Sequence, residues 1–398
     1  MNTNSHKRIF ISACEHSAEV HCANLIRAVS DRLAAGKAWP SDGRPIVDRP
    51  GIEWVGFGGE KMAAAGCALL ANPVQRAAMH YKVLGQLGYY RQLIKQATAF
   101  LIKNPVDLVV VCDSPAFNFH IAKAAKALGI PVLFYVAPQL WAWAPWRIHK
   151  LRRCCTKLAC ILPFEEEWFR SRGVDATFVC NPLFDEMNEP VEHNTKMYAE
   201  YRSDSPRIAL LPGSRDAEIR SLWPAMLEIA SRFKVQHPQA TFVSCAADSD
   251  KLAAMQDAAH GGPTIHYELG RLYETVKTCD FALVASGSAT LQVASAGCPM
   301  AIMYQSHKWM WHLVGRWLIR TRYLSLVNIL AQKELVPEFM PYFESIEPIV
   351  EKCHGLLSNK SKLIQTSQAL TTLVKPLTVT KARDNTAQIV LDMTGKNG

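Results

Sequence analysis

The chain has 398 residues, 49% apolar and 20% charged, with 44 Lys and Arg against 35 Asp and Glu for a net charge of +9. This length supports two domains of ordinary size, each with its own core, and the composition excludes disordered, collagen-like and coiled-coil chains. The modest positive balance suits an anionic substrate, an anionic membrane surface or nucleic acid, and selects none of them.

No apolar run of signal-peptide length follows the first basic residues, so export is not expected. Arg8–Ser12 (RIFIS) then reads as a strand. Val20–Ala35 carries apolar residues at a helical period and ends at Gly36. Val106–Cys112 is a nearly continuous apolar strand, the pattern of a sheet covered on both faces. Phe117–Leu128 follows as a helix closed by Gly129, and Pro131–Val136 as the next strand. This βαβ rhythm implies a parallel sheet with right-handed crossovers.

The rhythm breaks over Phe178–Ser205, a stretch with Asn-Pro, Glu-Pro and polar runs that reads as an interdomain connection. A second α/β series begins at Arg207–Leu211 and continues through Thr241–Ala246, Thr264–Tyr267, Phe281–Ala285 and Met300–Tyr304. From about Ile346 the pattern is helical. The expected organisation is residues 1–186, 187–345 and 346–398, the last being helices that cross back to the first domain. No sequence repeat links the two series. No stretch reaches the roughly 18 uncharged apolar residues of a membrane span. The twelve cysteines are scattered without CxxC or zinc spacing, and read as reduced core residues of a cytoplasmic protein.

Several strand-to-helix turns carry candidate chemistry. In Leu210-Leu-Pro-Gly-Ser-Arg215, Pro212 and Gly213 turn the chain and place Ser214 and Arg215 at a helix N-terminus. Free N–H groups and the positive end of the dipole attract phosphate there, and Arg215 adds a bidentate donor. A capping Ser and a surface Arg are the plainer alternative. Ala285-Ser-Gly-Ser-Ala-Thr290 repeats the arrangement, with Gly287 open to a close backbone approach and Ser288 beside it. Two such turns in one domain suit a diphosphate. Neither GxxxxGK[ST] nor GxGxxG is present.

In the first domain, Asp113 stands at the carboxyl end of a buried strand, where a carboxylate can take a proton from a substrate hydroxyl. Helix capping by Asp113 or Ser114 is the alternative. The loop Ala13-Cys-Glu-His-Ser-Ala-Glu19 brings Glu15, Ser17 and Glu19 to the same sheet edge, again as a site or as a cap with first-turn acids. Asp248-Ser-Asp250 matches a metal-binding DxD, but its place between a strand and a helix favours an N-cap. Residues 301–324 are dense in Trp, Met, Arg and Lys, as in a helix at a membrane interface or a buried helix with snorkelling cations.

Together these segments resemble the lipid-A-disaccharide synthase family of GT-B glycosyltransferases. The resemblance runs collinearly from about Ile9 to Pro341. It includes Gly56-Phe-Gly-Gly-Glu-Lys-Met62, Asp113-Ser-Pro-Ala-Phe-Asn118 and Tyr135-Val-Ala-Pro-Gln-Leu-Trp-Ala-Trp143. It continues through Leu162-Pro-Phe-Glu165, Leu211-Pro-Gly-Ser-Arg215, Ala285-Ser-Gly-Ser288, Tyr323-Leu-Ser-Leu-Val-Asn328 and Val336-Pro-Glu338. Departures fall at Cys14, Ala18, Glu19, Ala116, Ala144, Cys180, Asn181 and Gln292.

The resemblance implies two Rossmann-like α/β domains with parallel sheets facing a central cleft. It implies inverting transfer from UDP-2,3-diacylglucosamine to 2,3-diacylglucosamine 1-phosphate (lipid X), with no metal or organic cofactor and no nucleic acid partner. The place of action would be the cytoplasmic face of the inner membrane of a Gram-negative bacterium, with a homodimer left open. Asp113 would be the general base, with Glu15 in reserve. Gly213, Ser214, Arg215, Gly287 and Ser288 would hold the diphosphate. Ser17, Asn118, Gln292, Asn328 and Glu338 would contact substrate, and Trp309, Met310 and Trp311 the membrane. Two competing readings are a catalytically inactive sugar-nucleotide-binding relative, and a GT-B transferase or epimerase that uses another UDP-sugar.

Overall fold

The computed structural model of the protein describes residues 7–35, 51–78, 83–187, 189–259, 261–306 and 321–395. The chain divides into two compact units, residues 1–185 with 379–398, and residues 186–378.

The first unit is built on seven parallel strands. They are β1 (Lys7–Ser12), β2 (Ile52–Phe57), β3 (Cys67–Ala71), β4 (Leu108–Cys112), β5 (Val132–Tyr135), β6 (Lys157–Cys160) and β7 (Ala176–Phe178). Their order is β3-β2-β1-β4-β5-β6-β7. Every residue of β4 is buried, which is why its sequence is an unbroken apolar run. The helix His16–Ala35 starts earlier than its apolar period suggests and buries Ala18, Cys22, Leu25, Ile26 and Val29 against the sheet. The Leu25, Ile26 and Val29 side chains each contribute about 1.5–3 kcal/mol by leaving water.

The second unit has six parallel strands. They are β8 (Arg207–Leu211), β9 (Thr241–Ala246), β10 (Ile265–Leu269), β11 (Phe281–Ala285), β12 (Met300–Met303) and β13 (Glu338–Phe339). Their order is β10-β9-β8-β11-β12-β13. The edge strand β10 is Ile-His-Tyr-Glu-Leu, with polar residues among its exposed positions, which discourages pairing with another chain. The helices Glu347–Leu357 and Lys360–Val374 join this unit's core through Ile349, Cys353 and Leu363.

The last helix, Ala382–Gly395, belongs to the first unit. Its Ala387 and Val390 share a core with Ile26 and Val29, and Arg32 donates to Gln388 Oε1 at 2.9 Å. The buried Asp185 carboxylate accepts the Arg383 N–H at 3.2 and 3.3 Å and so fixes the start of that helix. Burial pushes the Asp185 carboxyl up to about 6. The segment 346–398 is therefore split after Thr378 between the two units.

All twelve cysteines are free, and all but Cys155 and Cys245 are buried. Burial raises the pKa of the Cys14, Cys112 and Cys298 thiols, which keeps them protonated as small core side chains. Among the described residues, no helix is long and apolar enough to cross a membrane. Trp309, Met310 and Trp311 lie outside the described residues.

Candidate active site

In each sheet the strand order reverses at one point. β1 pairs with β4 in the first, and β8 with β11 in the second. The connections leave such a neighbouring pair in opposite directions, and a crevice opens at the carboxyl ends of the strands. The four turns singled out in the sequence are the ones that leave these four strands: 13–17 after β1, 113–114 after β4, 212–215 after β8 and 286–288 after β11.

In the first unit, Asp113 and Ser114 take left-handed backbone angles in succession, with φ of 50° and 42°. Each costs a non-glycine residue about 1–3 kcal/mol and persists only where its surroundings enforce it. Asn118, fully buried in the helix Pro115–Ala127, does the enforcing. Its Nδ2 donates to the Cys112 carbonyl at 3.0 Å and to the Asp113 carbonyl at 2.7 Å, while its Oδ1 accepts from Ser12 Oγ at 2.8 Å. The ends of β1 and β4 are thereby tied together beneath Asp113. Ser114 sits at the N-cap position but gives the helix no side-chain bond. Its Oγ donates instead to Glu15 Oε1 at 3.2 Å, joining the two turns. Glu15 and Ser17 are exposed and Asp113 is half-buried.

Glu19 has a different task. Its buried carboxylate accepts the Lys61 N–H at 2.7 Å. A Cβ on Gly59 would lie only 2.3 Å from Glu19 Oε1, so the glycine-rich motif of residues 56–62 makes room for this acid. Cys14 and Ala18 are buried without left-handed angles, so neither position requires a glycine. Cys180 does adopt a left-handed φ of 67°, and bears as strain what a glycine would accept freely.

Two further motifs form one structural unit. The buried Glu165 carboxylate accepts the Trp141 indole N–H at 2.8 Å and the N–H groups of Ile161 and Leu162 at 3.1 and 3.0 Å. Trp141 also meets Phe164 edge to face, with ring centroids 4.9 Å apart. Burial pushes the Glu165 carboxyl up to about 7. Beyond the same motif, the Arg147 guanidinium lies 4.6 Å from the centre of the Trp143 ring.

In the second unit, the turn after β8 leads into the helix Asp216–Gln236, with Arg215 at the N-cap. Ser214 and Arg215 are exposed. Gly213 has φ of 105°, and a Cβ there would stand 2.3 Å from Glu218 Oε2. Glu218 was not foreseen as part of this turn. It accepts the Ser214 and Arg215 N–H groups at 3.2 and 3.3 Å, and the Arg215 guanidinium at 2.8 Å. Its sequence signal is an acid three residues after a helix N-cap. After β11, Gly287 and Ser288 are exposed, with open space where a Gly287 Cβ would project. Gln292 is half-buried on the helix Ala289–Ser295 that follows.

Asn328 and Glu338 lie farther along this unit and bond to each other. Fully buried Asn328 accepts the Leu335 and Val336 N–H groups at 2.8 and 3.1 Å, and donates to the Val336 carbonyl at 2.8 Å and Glu338 Oε2 at 2.9 Å. That uses the full capacity of its amide. Glu338 also accepts the Leu324 and Ser325 N–H groups and the Ser325 hydroxyl, at 3.0, 3.1 and 2.6 Å. Residues 323–338 are thus clasped to the sheet by their own polar side chains. Asp248 caps the helix Ser249–Asp257, accepting the Lys251 N–H at 2.9 Å, which is the N-cap expected of this DxD. Among the described residues no group of three or more His, Cys, Asp or Glu is placed to hold a metal.

A family model described as lipid-A-disaccharide synthetase matches residues 9–393. The chain belongs to this family. Membership makes it a glycosyltransferase of lipid A biosynthesis. It is similar to the lipid-A-disaccharide synthase of Myxococcus xanthus, with 31% identity over 97% of both chains. It is 30% identical to that of Geobacter sulfurreducens over the whole of each. Among solved structures, it is similar to a putative UDP-N-acetylglucosamine 2-epimerase from Listeria monocytogenes, with TM-score 0.60 and 12% identity over 98% of this chain and 96% of that one. An S. aureus MnaA–UDP co-structure gives TM-score 0.54 and 13% identity over 91% of each. At such identities these structures establish the fold, the GT-B pairing of two Rossmann-like units, and nothing about the substrate.

Proposed function

We propose that the chain joins UDP-2,3-diacylglucosamine to lipid X with inversion at the transferred sugar, releasing UDP. The acceptor hydroxyl gives its proton to the Asp113 carboxylate as its oxygen bonds to the donor's anomeric carbon. The bond from that carbon to the diphosphate oxygen breaks, and the electron pair leaves with UDP. The turn of Gly213, Ser214 and Arg215 and that of Gly287 and Ser288 receive the developing negative charge through N–H dipoles, hydroxyls and a guanidinium. Gln292 would bond ribose hydroxyls, with one acceptor and one donor group. Ser17 would contact the acceptor, and Glu15 is the reserve base. Asn118, Asn328 and Glu338 act through the segments they hold.

The reading rests on the family match over residues 9–393. The choice of base is supported by the place of the strained Asp113–Ser114 turn, directly after β4 at the switch point of the first sheet. The dense Trp, Met and basic composition of 301–324 supports contact with an anionic inner-membrane surface, through Trp309, Met310 and Trp311. Incubation of the pure protein with UDP-2,3-diacylglucosamine and lipid X should yield disaccharide 1-phosphate and UDP in equal amounts. UDP binding without turnover would refute the reading in favour of an inactive relative.

A further inference from the structure

We propose that Glu218 is the resident counter-anion of the diphosphate turn, and that its carboxylate competes with the donor's phosphates for the same N–H groups. The inference rests on the assignment of that turn to a nucleoside diphosphate. A phosphate bound at a helix N-terminus is held by backbone N–H groups and a nearby guanidinium. In this chain those groups already face an anion. Glu218 Oε2 accepts the Ser214 and Arg215 N–H groups at 3.2 and 3.3 Å, and Oε1 accepts from the Arg215 guanidinium at 2.8 Å.

The contacts differ in quality. The one to Arg215 is short and charge-assisted. The two to the backbone lie at or beyond the long edge of the usual range. Their difference divides the carboxylate's work. Oε1 holds the Arg215 side chain, which is 74% exposed, close to the turn. Oε2 occupies the two N–H groups loosely and yields them to a phosphate oxygen. Arg215 has five N–H donors, so it can keep Oε1 while meeting the diphosphate.

Gly213 fits the same account. Its missing Cβ leaves the space that Glu218 Oε2 fills, since a Cβ would come within 2.3 Å of that oxygen. The glycine therefore admits the internal anion as well as turning the chain at φ 105°. Glu218 makes Arg215 ready for the donor, and it weakens the hold on released UDP. It is a positioning residue that sets diphosphate affinity.

Glu218→Gln keeps a cap at this helix position, where Glu and Gln serve alike, but removes the competing charge. An anion at a helix N-terminus is worth about 0.3–1 kcal/mol. UDP should therefore bind Glu218→Gln about two- to fivefold more tightly than the native protein by calorimetry, with uridine affinity unchanged because uridine carries no phosphate. Glu218→Asp, whose carboxylate is one methylene short of the turn, should tighten UDP in the same way and covers a folding failure of the first variant. UDP affinity that is equal or weaker in a normally melting variant overturns the proposal, as does an equal gain for uridine. Arg215→Ala separates the underlying reading. If it leaves UDP affinity intact, the turn is not the diphosphate site and the proposal falls with it. If it weakens UDP while the Glu218 variants do not tighten it, the site stands and only the competition is refuted.

Discussion

Asn118→Ala tests whether the Asp113 turn is held from below. The substitution removes the acceptor for Ser12 Oγ and the donors to the Cys112 and Asp113 carbonyls. Ser12, Cys112 and Asn118 are fully buried, so bulk water does not readily replace these bonds. At about 1 kcal/mol for each bond the loss is about 3 kcal/mol. For a unit of this size that corresponds to a melting temperature lower by about 6–12 °C. The left-handed pair Asp113–Ser114 would then relax toward common backbone angles and carry the carboxylate away from its working position. Turnover should fall by at least about tenfold, while UDP affinity stays unchanged because the turns proposed to hold the diphosphate belong to the other unit. Differential scanning calorimetry, steady-state kinetics and UDP titration read the three quantities. A variant that melts within about 2 °C of the native protein and keeps full kcat would refute the claim that Asn118 enforces this turn.

Glu165 predicts a pH dependence. Its folded pKa of about 7 lies above the ordinary 4.5, so the folded state binds the extra proton. Its stabilising contribution is complete below pH 4.5, declines as pH rises and is lost above 7, an overall change of about 3 kcal/mol. Denaturant midpoints at pH 5 and pH 8 should differ less in Glu165→Gln than in the native protein, and an unchanged difference would contradict this. If Arg215 holds the diphosphate as proposed, Arg215→Ala removes a charge-assisted contact of about 1.5–3 kcal/mol, so kcat/KM should fall by about tenfold to 150-fold. Stability should barely change, because Arg215 is exposed. Changing Trp309, Met310 and Trp311 to Ser should release the protein from anionic vesicles in a sedimentation assay and spare activity on detergent-solubilised substrate. Aggregation of that variant would place these side chains in a core instead.

The parts of the fold legible in the sequence were those with uninterrupted apolar character. Leu108–Cys112 and Phe281–Ala285 are buried throughout and read as strands at once. β7, with three residues, carries too little pattern to announce itself, and its place follows from pairing with β6. Two α/β series were legible, but their matching strand order was not. Both put their first and fourth strands side by side, yet strand order is fixed by crossovers and leaves no repeat in the residues. The candidate turns were legible because a strand, a small residue and a helix start in close succession. The partners of polar residues were not. Asn118, Asn328 and Glu338 read as contacts to substrate; the structure shows Asn118 bonded to the Cys112 and Asp113 carbonyls, and Asn328 and Glu338 bonded to backbone groups and to each other. Glu218 was missed because its partners include backbone N–H groups that no sequence displays. Glu165 appeared only as part of a motif, although it is the acid that anchors Trp141 of another.

Asp113→Asn is the most direct test of the catalytic claim. Asparagine keeps the shape of the side chain and its capacity to cap a helix, and removes only the basicity. Measured with UDP-2,3-diacylglucosamine and lipid X, turnover should fall by about 10²–10⁴-fold. UDP affinity and melting temperature should match the native protein. A variant with native turnover and native stability would contradict the account, and would move the base to Glu15.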